Sequence, residues 1–167
     1  MADPQVLIVM GSDSDLPVME EAAQVLTEFG VPHEIRISSA HRSPQRTAAL
    51  AADAAGRGIR VIIAGAGMAA HLAGVVAAET VLPVIGVPMG GGALAGVDAL
   101  YSTVQMPAGI PVATMAIGRA GAKNAGIFAV QVLALGNERL TAALNSYRKR
   151  MAEEVAAKDC ELQEKRP

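Results

Sequence analysis

The amino-acid sequence predicts a three-layer α/β fold, with a central parallel sheet of five strands and an amphipathic helix at the C-terminus. Two observations lead to this fold class. Five short apolar runs alternate with longer segments of helical periodicity, in the order βαβαβαβαβα. Most of these runs are apolar at every position, as in strands that helices cover on both faces of a parallel sheet.

The predicted elements follow this alternation along the chain. Val6 to Met10 is the first apolar run, whereas the second run alternates apolar residues with Glu34 and Arg36, which favours an edge strand. In order, the predicted strands are residues 6–10, 33–38, 61–64, 83–87 and 112–117. The predicted helices are residues 16–29, 44 to the 56–58 region, 68–80, 93–106 and 123–135.

Several helix ends carry their own sequence signals. Ser43 and Pro44 predict an N-cap followed by the first helical residue. Gly30 is suited to the C-cap of the first helix, and Pro107 ends the fourth. These signals support the predicted helix boundaries independently of the hydrophobic pattern.

The C-terminal residues 137–167 differ from residues 1–136, which we expect to form the α/β catalytic domain. They are charged, with a narrow apolar stripe formed by Leu140, Leu144, Tyr147, Met151 and Val155. We expect a helix that packs on the body or on a neighbouring subunit, frayed beyond about residue 157. The prediction is therefore a single domain overall.

The composition excludes several classes of function. The net charge is −2 without a basic run, which argues against nucleic acid as a partner. A single cysteine, Cys160, cannot form an internal disulfide, and the three histidines lie too far apart in sequence for a metal motif, so we predict no metal. No basic leader or spanning apolar run is apparent, so we expect a cytoplasmic chain with no membrane partner.

The side-chain sizes also suggest assembly. The hydrophobic fraction is 51% although only 2% of residues are aromatic, so the core must be built from small aliphatic side chains. Small side chains bury little area each, and we therefore expect further burial between subunits of a homo-oligomer.

The loop after the first strand is suited to an anion. Gly11, Ser12 and Ser14 offer backbone N–H groups and hydroxyls at the start of a helix, where the dipole favours a phosphate. Asp15 is either the N-cap of that helix or a carboxylate that binds ribose hydroxyls, and one role does not exclude the other. The loop lacks the Gly-Lys-Ser/Thr of a P-loop.

The loop after the second strand carries the strongest candidate for chemistry. Ser39 and Arg42 are phosphate-seeking residues, and Ala40 and His41 lie between them. An imidazole, with an ordinary pKa of about 6.5, can both take and give a proton near neutral pH. We therefore expect His41 to transfer a proton to or from a phosphorylated small molecule.

The third and fourth strands are also followed by glycine-containing loops. Gly65, Ala66 and Gly67 permit close approach of backbone to a ligand. His71 and Leu72 follow in the predicted helix, where His71 either hydrogen-bonds a ligand while neutral or has a structural role. The run from Pro88 to Gly92 either closes over a ligand or is a simple linker, and both possibilities remain open.

These motifs together resemble one family, the N5-carboxyaminoimidazole ribonucleotide mutases of purine biosynthesis. The resemblance covers roughly residues 5–135, in order and with matching spacing. Its motifs are Met10-Gly-Ser-Asp-Ser-Asp15, Ser39-Ala-His-Arg-Ser-Pro44, Ile63-Ala-Gly-Ala-Gly67, Ala69-Ala-His-Leu72, Val104-Gln-Met-Pro107, Gly109-Ile-Pro-Val-Ala-Thr114 and Lys123-Asn-Ala125.

The resemblance implies a flavodoxin-like fold and an isomerase that needs no metal or organic cofactor. It implies that a carboxylate moves from the exocyclic nitrogen to ring carbon C4, with His41 transferring the proton, and that the nucleotide is the small-molecule partner. It places Ser12, Ser39 and Arg42 at the phosphate and ribose, Asp15 at the ribose, and His71 with residues 65–67 beside the imidazole and carboxylate. It also implies an octamer.

The chain departs from the family pattern at Met68, Ala73 and the Met89-Gly90-Gly91 run, and we expect altered kinetics with the same reaction. Two other functions are possible alternatives for this sequence. One is a carboxylase that uses CO₂ and aminoimidazole ribonucleotide directly, which the Gly-Ala-Gly-x-Ala-Ala-His-Leu motif disfavours. The other is a non-catalytic nucleotide-binding module, which the scarcity of aromatic rings disfavours for a flavin.

Overall fold

A sheet of five parallel strands, in the order β2-β1-β3-β4-β5, forms the centre of the computed structural model, which describes residues 3–166. The strands are β1 (Val6–Met10), β2 (His33–Ile37), β3 (Val61–Ala66), β4 (Val84–Pro88) and β5 (Ala113–Thr114). The helices are α1 (Leu16–Glu28), α2 (Pro44–Ala52), α3 (Leu72–Ala78), α4 (Val97–Val104), α5 (Arg119–Ala134) and α6 (Glu138–Glu164). The predicted fold class is confirmed.

The central strands divide their side chains between two hydrophobic cores, because successive residues of a strand point to opposite sheet faces. In β1, Val6, Ile8 and Met10 belong to the core beneath α1 and α5. Leu7 and Val9 belong to the other core, which includes residues of α2 and α3. This double coverage explains why the run from Val6 to Met10 is apolar throughout.

The second strand lies at the sheet edge, as its alternating pattern predicts. It pairs with β1 alone, and Ile35 and Ile37 of β2 remain exposed. The last strand, β5, is much shorter than the predicted 112–117, since only Ala113 and Thr114 pair with β4. Beyond Thr114 the segment stays attached to β4 through single backbone hydrogen bonds, from Met115 N to the Gly86 carbonyl and from Gly118 N to the Pro88 carbonyl, each 2.9 Å long.

Two predicted helix starts are wrong, and left-handed backbone explains both. The third helix begins at Leu72 and not at residue 68, because Met68 has a φ of 55°. The fourth begins at Val97 and not at residue 93, because Ala95 and Gly96 have φ values of 51° and 89°. A right-handed helix cannot continue through such residues.

Two other boundaries differ for milder reasons. The second helix ends at Ala52, and the chain continues as a 3₁₀ turn to a left-handed Gly58. The fifth begins at Arg119, four residues before the predicted start, directly after Gly118. The Gly118 carbonyl accepts a hydrogen bond from Ala122 N, which begins the helical ladder at this point.

The C-terminal helix packs on the body through the first half of its apolar stripe. Leu140 is buried, while Leu144 and Tyr147 pack beside it against the core beneath α1 and α5. Met151 and Val155 are 50% and 67% exposed, so the second half of the stripe is largely open to solvent. The region beyond residue 157 remains helical to Glu164. Residues 1, 2 and 167 of the predicted units lie outside the described range.

We predict that Gly126→Ala weakens the packing of α5 on α1. A Cβ at Gly126 would lie 2.9 Å from the Ala22 carbonyl oxygen and 2.9 Å from Val25 Cβ, and neither atom is the end of a flexible side chain. Overpacking of this kind costs about 1–3 kcal/mol in the free energy of unfolding, measurable by urea denaturation. Gly56→Ala is the control, because nothing lies within 4 Å of its added Cβ. Equal stabilities of the two variants would contradict the prediction.

Candidate active site

Three loops begin at the same level because of the register of the sheet. Met10, the last residue of β1, pairs with Ile37 of β2 and Gly65 of β3. The backbone of Ser38 then donates to the Met10 carbonyl at 2.9 Å, which continues the pairing into the loop. In parallel α/β sheets ligands bind at this carboxyl edge of the strands.

A cleft of about 440 Å³ opens at this edge, with walls from the loops after β1, β2, β3 and β4. It brings together every site residue predicted from the sequence except Gly65. Those residues are Gly11, Ser12, Ser14, Asp15, Ser39, Ala40, His41, Arg42, Ala66, Gly67, His71 and Leu72. Segments far apart in sequence therefore converge where the phosphate and imidazole chemistry was expected.

Gly65 lies beneath the cleft and has a packing role. A Cβ at this position would lie 2.5 Å from Met19 Sδ and 2.6 Å from Met89 Cε. The two methionine side chains therefore occupy the space that a larger residue would need. The sequence signal for close approach was sound, but here side chains approach the glycine.

The cleft also contains residues that the motifs did not assign. Met68, Ala69 and Met89 line it, together with Gly90 to Gly92. The run after β4 thus faces the cleft, which favours the closing role that the sequence left open. Met89 belongs to that run but was not singled out as a site residue, because an apolar residue at a strand end has the same pattern as the core.

The first two loops are tied together by Arg42. Its Nη2 donates to the Gly11 carbonyl at 2.8 Å, and its backbone N–H donates to Ser39 Oγ at 3.2 Å. Ser14 Oγ lies 2.9 Å from Ser12 Oγ, so hydroxyls cluster on the opposite loop. Within residues 3–166 no ion pair includes Arg42, so its charge can bind an anion in the cleft.

The carboxylate of Asp15 lies at the start of α1 without capping the helix. The residue occupies the N-cap position, but its side chain makes no capping hydrogen bond. Burial raises the pKa of Asp15 above its usual range, a nearby backbone hydrogen bond from Ser12 opposes this, and the charge of Asp13 adds to it. The capping alternative is thus not realised by the side chain, which leaves the carboxylate able to accept hydrogen bonds from a ligand.

Two histidines meet across the cleft although they lie 30 residues apart in sequence. His41 Nε2 is 2.6 Å from His71 Nδ1, and the rings stand edge to face with centroids 4.9 Å apart. One nitrogen must donate and the other accept, so the pair shares a single proton along this contact. His71 occupies the N-cap position of α3, just before the helix in which it was predicted.

A larger groove of about 990 Å³ lies at the amino-terminal ends of β4 and β5. Its lining includes Val81, Pro83, Ile110 and Phe128, and Glu79 is its one titratable residue. This groove lacks a partner to exchange protons with Glu79 and lacks a cationic group for an anion. The smaller cleft is therefore the candidate active site.

Two further properties of residues 3–166 concern metals and membranes. No three His, Cys, Asp or Glu side chains in this range are grouped so that they could hold a metal ion. None of its helices has the length and apolar character that crossing a bilayer requires.

The chain is similar to known proteins in both sequence and fold. A model of the AIR carboxylase family matches residues 5–154. An N5-carboxyaminoimidazole ribonucleotide mutase of Mycobacterium tuberculosis is 57% identical over 160 residues, covering 96% of this chain and 91% of the relative. A mutase of the same name from Pyrococcus horikoshii is 56% identical over 161 residues, covering 96% of this chain and 90% of that one. A crystal structure of Treponema denticola PurE aligns with a TM-score of 0.87 at 30% identity, covering 98% and 99% of the two chains.

We predict that Asp15→Asn stabilises the protein at neutral pH. Because folding raises the pKa of Asp15, its ionised form opposes folding above that raised pKa, and the effect vanishes below the unfolded value near 3.8. The free energy of unfolding of Asp15→Asn should therefore exceed that of the natural chain at pH 7, with the gap closing as the pH falls to about 3.8.

Urea titrations at several pH values measure this gap. Glu20→Gln serves as the control, since it removes one negative charge from an exposed position of the same helix. A gap that does not change with pH, or a less stable Asp15→Asn protein at pH 7, would show that the carboxylate is not disfavoured by burial.

Proposed function

The chain belongs to the AIR carboxylase family, and we propose that it is an isomerase of purine biosynthesis, converting N5-carboxyaminoimidazole ribonucleotide into 4-carboxy-5-aminoimidazole ribonucleotide. The observation that carries this proposal is the cleft, which brings the hydrogen-bonded pair of His41 and His71 together with two loops suited to an anion. The mutase activity for which relatives spanning almost the whole chain are named supports the same reaction.

In the proposed complex the nucleotide phosphate lies between the two loops that Arg42 joins. Arg42 supplies a positive charge, and Ser12 and Ser39 supply hydroxyl donors. Asp15 accepts hydrogen bonds from the ribose hydroxyls. The base then extends toward His41, His71 and the backbone of Ala66 and Gly67. Gly11, Ser14, Ala40 and Leu72 complete the walls.

The proposed reaction has two halves. First, the bond between the exocyclic nitrogen and the carboxylate carbon breaks, the His41 imidazolium protonates that nitrogen, and CO₂ forms. Second, C4 of the aminoimidazole attacks CO₂ to form the new C–C bond, and the C4 proton passes to the His41 imidazole. The imidazolium is regenerated, and the product is an isomer of the substrate, so the sequence balances without an oxidant, a reductant or a cofactor.

His71 is a positioning residue in this scheme. Its contact with His41 orients the imidazole, which has given its proton to the nitrogen after the first half and takes the C4 proton in the second. A single group that gives and then takes a proton suits a histidine, because its two forms are close in free energy near neutral pH.

We also propose that the chain works as a homo-oligomer built from a single-domain subunit. The apolar groove at the amino-terminal ends of β4 and β5, and the exposed side chains of Val81, Tyr101 and Leu135, support burial against other copies. The number of eight subunits comes from the family resemblance. In such an assembly, the exposed second half of the α6 stripe, which includes Met151 and Val155, packs on a neighbour.

We predict that His41→Asn abolishes turnover but leaves nucleotide binding within a few-fold of the natural chain. The substitution removes proton transfer, which contributes about 10²–10⁴-fold to rate, while Arg42 and the serines remain. Product formation from the N5-carboxylated substrate, without ATP or bicarbonate, and calorimetric affinity for the nucleotide are the two measurements. His33→Asn is the control, because His33 hydrogen-bonds the Val31 carbonyl at the other end of β2.

Three results would count against the proposal. An active His41→Asn protein would remove His41 from the mechanism. Failure of the natural chain to form the C4-carboxylated product would reject the mutase reaction. Efficient product formation from aminoimidazole ribonucleotide and CO₂, with poor use of the N5-carboxylated compound, would instead identify a CO₂-dependent carboxylase.

A further inference from the structure

Met68 has a strained backbone at the mouth of the cleft. Its φ of 55° lies in the left-handed region, where Met68 and Ala95 are the only residues other than glycine among those described. A side chain with a Cβ is disfavoured there, whereas glycine adopts this conformation freely. Strain that persists at such a site indicates a role for the residue that carries it.

The backbone around Met68 does not explain why a large side chain is present. The Met68 carbonyl accepts from Ala70 N at 2.8 Å, and the Ala69 carbonyl accepts from His71 N at 2.9 Å. These bonds form the tight turn that delivers His71 to His41. A glycine at position 68 would make the same turn without strain, so the turn does not require the methionine.

That side chain lies at the rim of the cleft, opposite the glycine run after β4. It lines the cleft and is 66% exposed, so it stands between the cleft and the solvent. A Cβ added to Gly92 would be 3.8 Å from Met68 Cγ, so a gap about one methyl group wide separates the two chain segments. Beneath them Met89 is 4% exposed and forms an apolar floor.

We propose that the Met68 side chain, with Gly92 opposite, is an apolar cap that retains CO₂ between the two halves of the reaction. The inference rests on the proposed function and adds a residue that determines whether CO₂ is recaptured or lost. CO₂ is neutral and offers no charge to hold it, so recapture by C4 competes with escape. A flexible, unbranched thioether adapts to the ligand and excludes water from the opening. Met68 forms and breaks no bond, so it is a positioning residue.

The test follows a labelled carboxylate. The natural chain and the variants Met68→Leu, Met68→Ala and Met68→Gly receive substrate that carries ¹³C in the N5 carboxylate, in buffer with unlabelled bicarbonate. Mass spectrometry then gives the fraction of C4-carboxylated product that keeps ¹³C. The natural chain and Met68→Leu should keep most of the label, whereas Met68→Ala and Met68→Gly should lose several-fold more per turnover.

The melting temperature distinguishes the effect of losing the Met68 side chain from the effect of relieving its backbone strain. Met68→Gly relieves the left-handed strain and should raise Tm by about 2–4 °C, whereas Met68→Ala keeps the strain and should leave Tm nearly unchanged. Label loss in both variants with a rise in Tm in only one would attribute retention to the side chain. A merely structural role would move Tm and label retention together.

The outcomes distinguish this inference from the function on which it rests. If the natural chain forms product but Met68→Ala and Met68→Gly keep as much label as it does, the cap is rejected and the mutase reaction stands. Equal label loss in all three variants, Leu included, would trace the effect to a disturbed turn and also reject the cap. If the natural chain forms no product, the proposed function fails, and the cap fails with it.

Discussion

The parallel register of β1 with its two neighbours is the constraint on which the cleft depends. Met10 is aligned with Ile37 on one side and Gly65 on the other, so the phosphate-suited loop, the His41 loop and the His71 turn leave the sheet at one level. A slip of one residue would move a loop by about 3.3 Å and turn its strand's side chains to the opposite face. The contact of 2.6 Å between His41 and His71 could not survive such a slip. Side-chain packing resists it, since all five side chains of β1 are buried and each fits a place in one of two close-packed cores.

Because the loops leave the sheet at one level, the imidazoles of His41 and His71 can meet and share a proton. His41 lies on a loop held by Arg42, whose side chain donates to the Gly11 carbonyl, and His71 lies on a turn held by two short hydrogen bonds. The two histidines are 30 residues apart in sequence, so the geometry in which they share a proton exists only in the folded protein. The same turn puts Met68 into a left-handed conformation, so the backbone that positions one proton-transfer partner also carries the strain of the proposed cap.

Much of this arrangement could be predicted from the sequence, because strands buried on both faces leave uninterrupted apolar runs. Those runs located β1, β3 and β4, and their carboxyl ends located the loops of the cleft. The start of α3 could not be predicted, because Met68 to His71 has ordinary helix-forming composition and only the tight turn overrides it. Gly65 was assigned to the cleft wall for a sound reason, but whether a ligand or a methionine fills the space beside a glycine depends on the packing of Met19 and Met89. The hydrogen bond between His41 and His71 could likewise not be predicted from sequence spacing, because the two residues lie 30 positions apart.

The central claim is that a nucleotide occupies this cleft with its reacting carbon beside residue 41. The most direct test is a crystal structure of the His41→Asn protein soaked with N5-carboxyaminoimidazole ribonucleotide. We expect the phosphate to contact Arg42 and the serine hydroxyls, the ribose to contact Asp15, and C4 to lie about 3 Å from the side chain at position 41, within reach of proton transfer. A nucleotide bound in the apolar groove at the other end of the sheet, or in the cleft with C4 directed away from position 41, would contradict the claim.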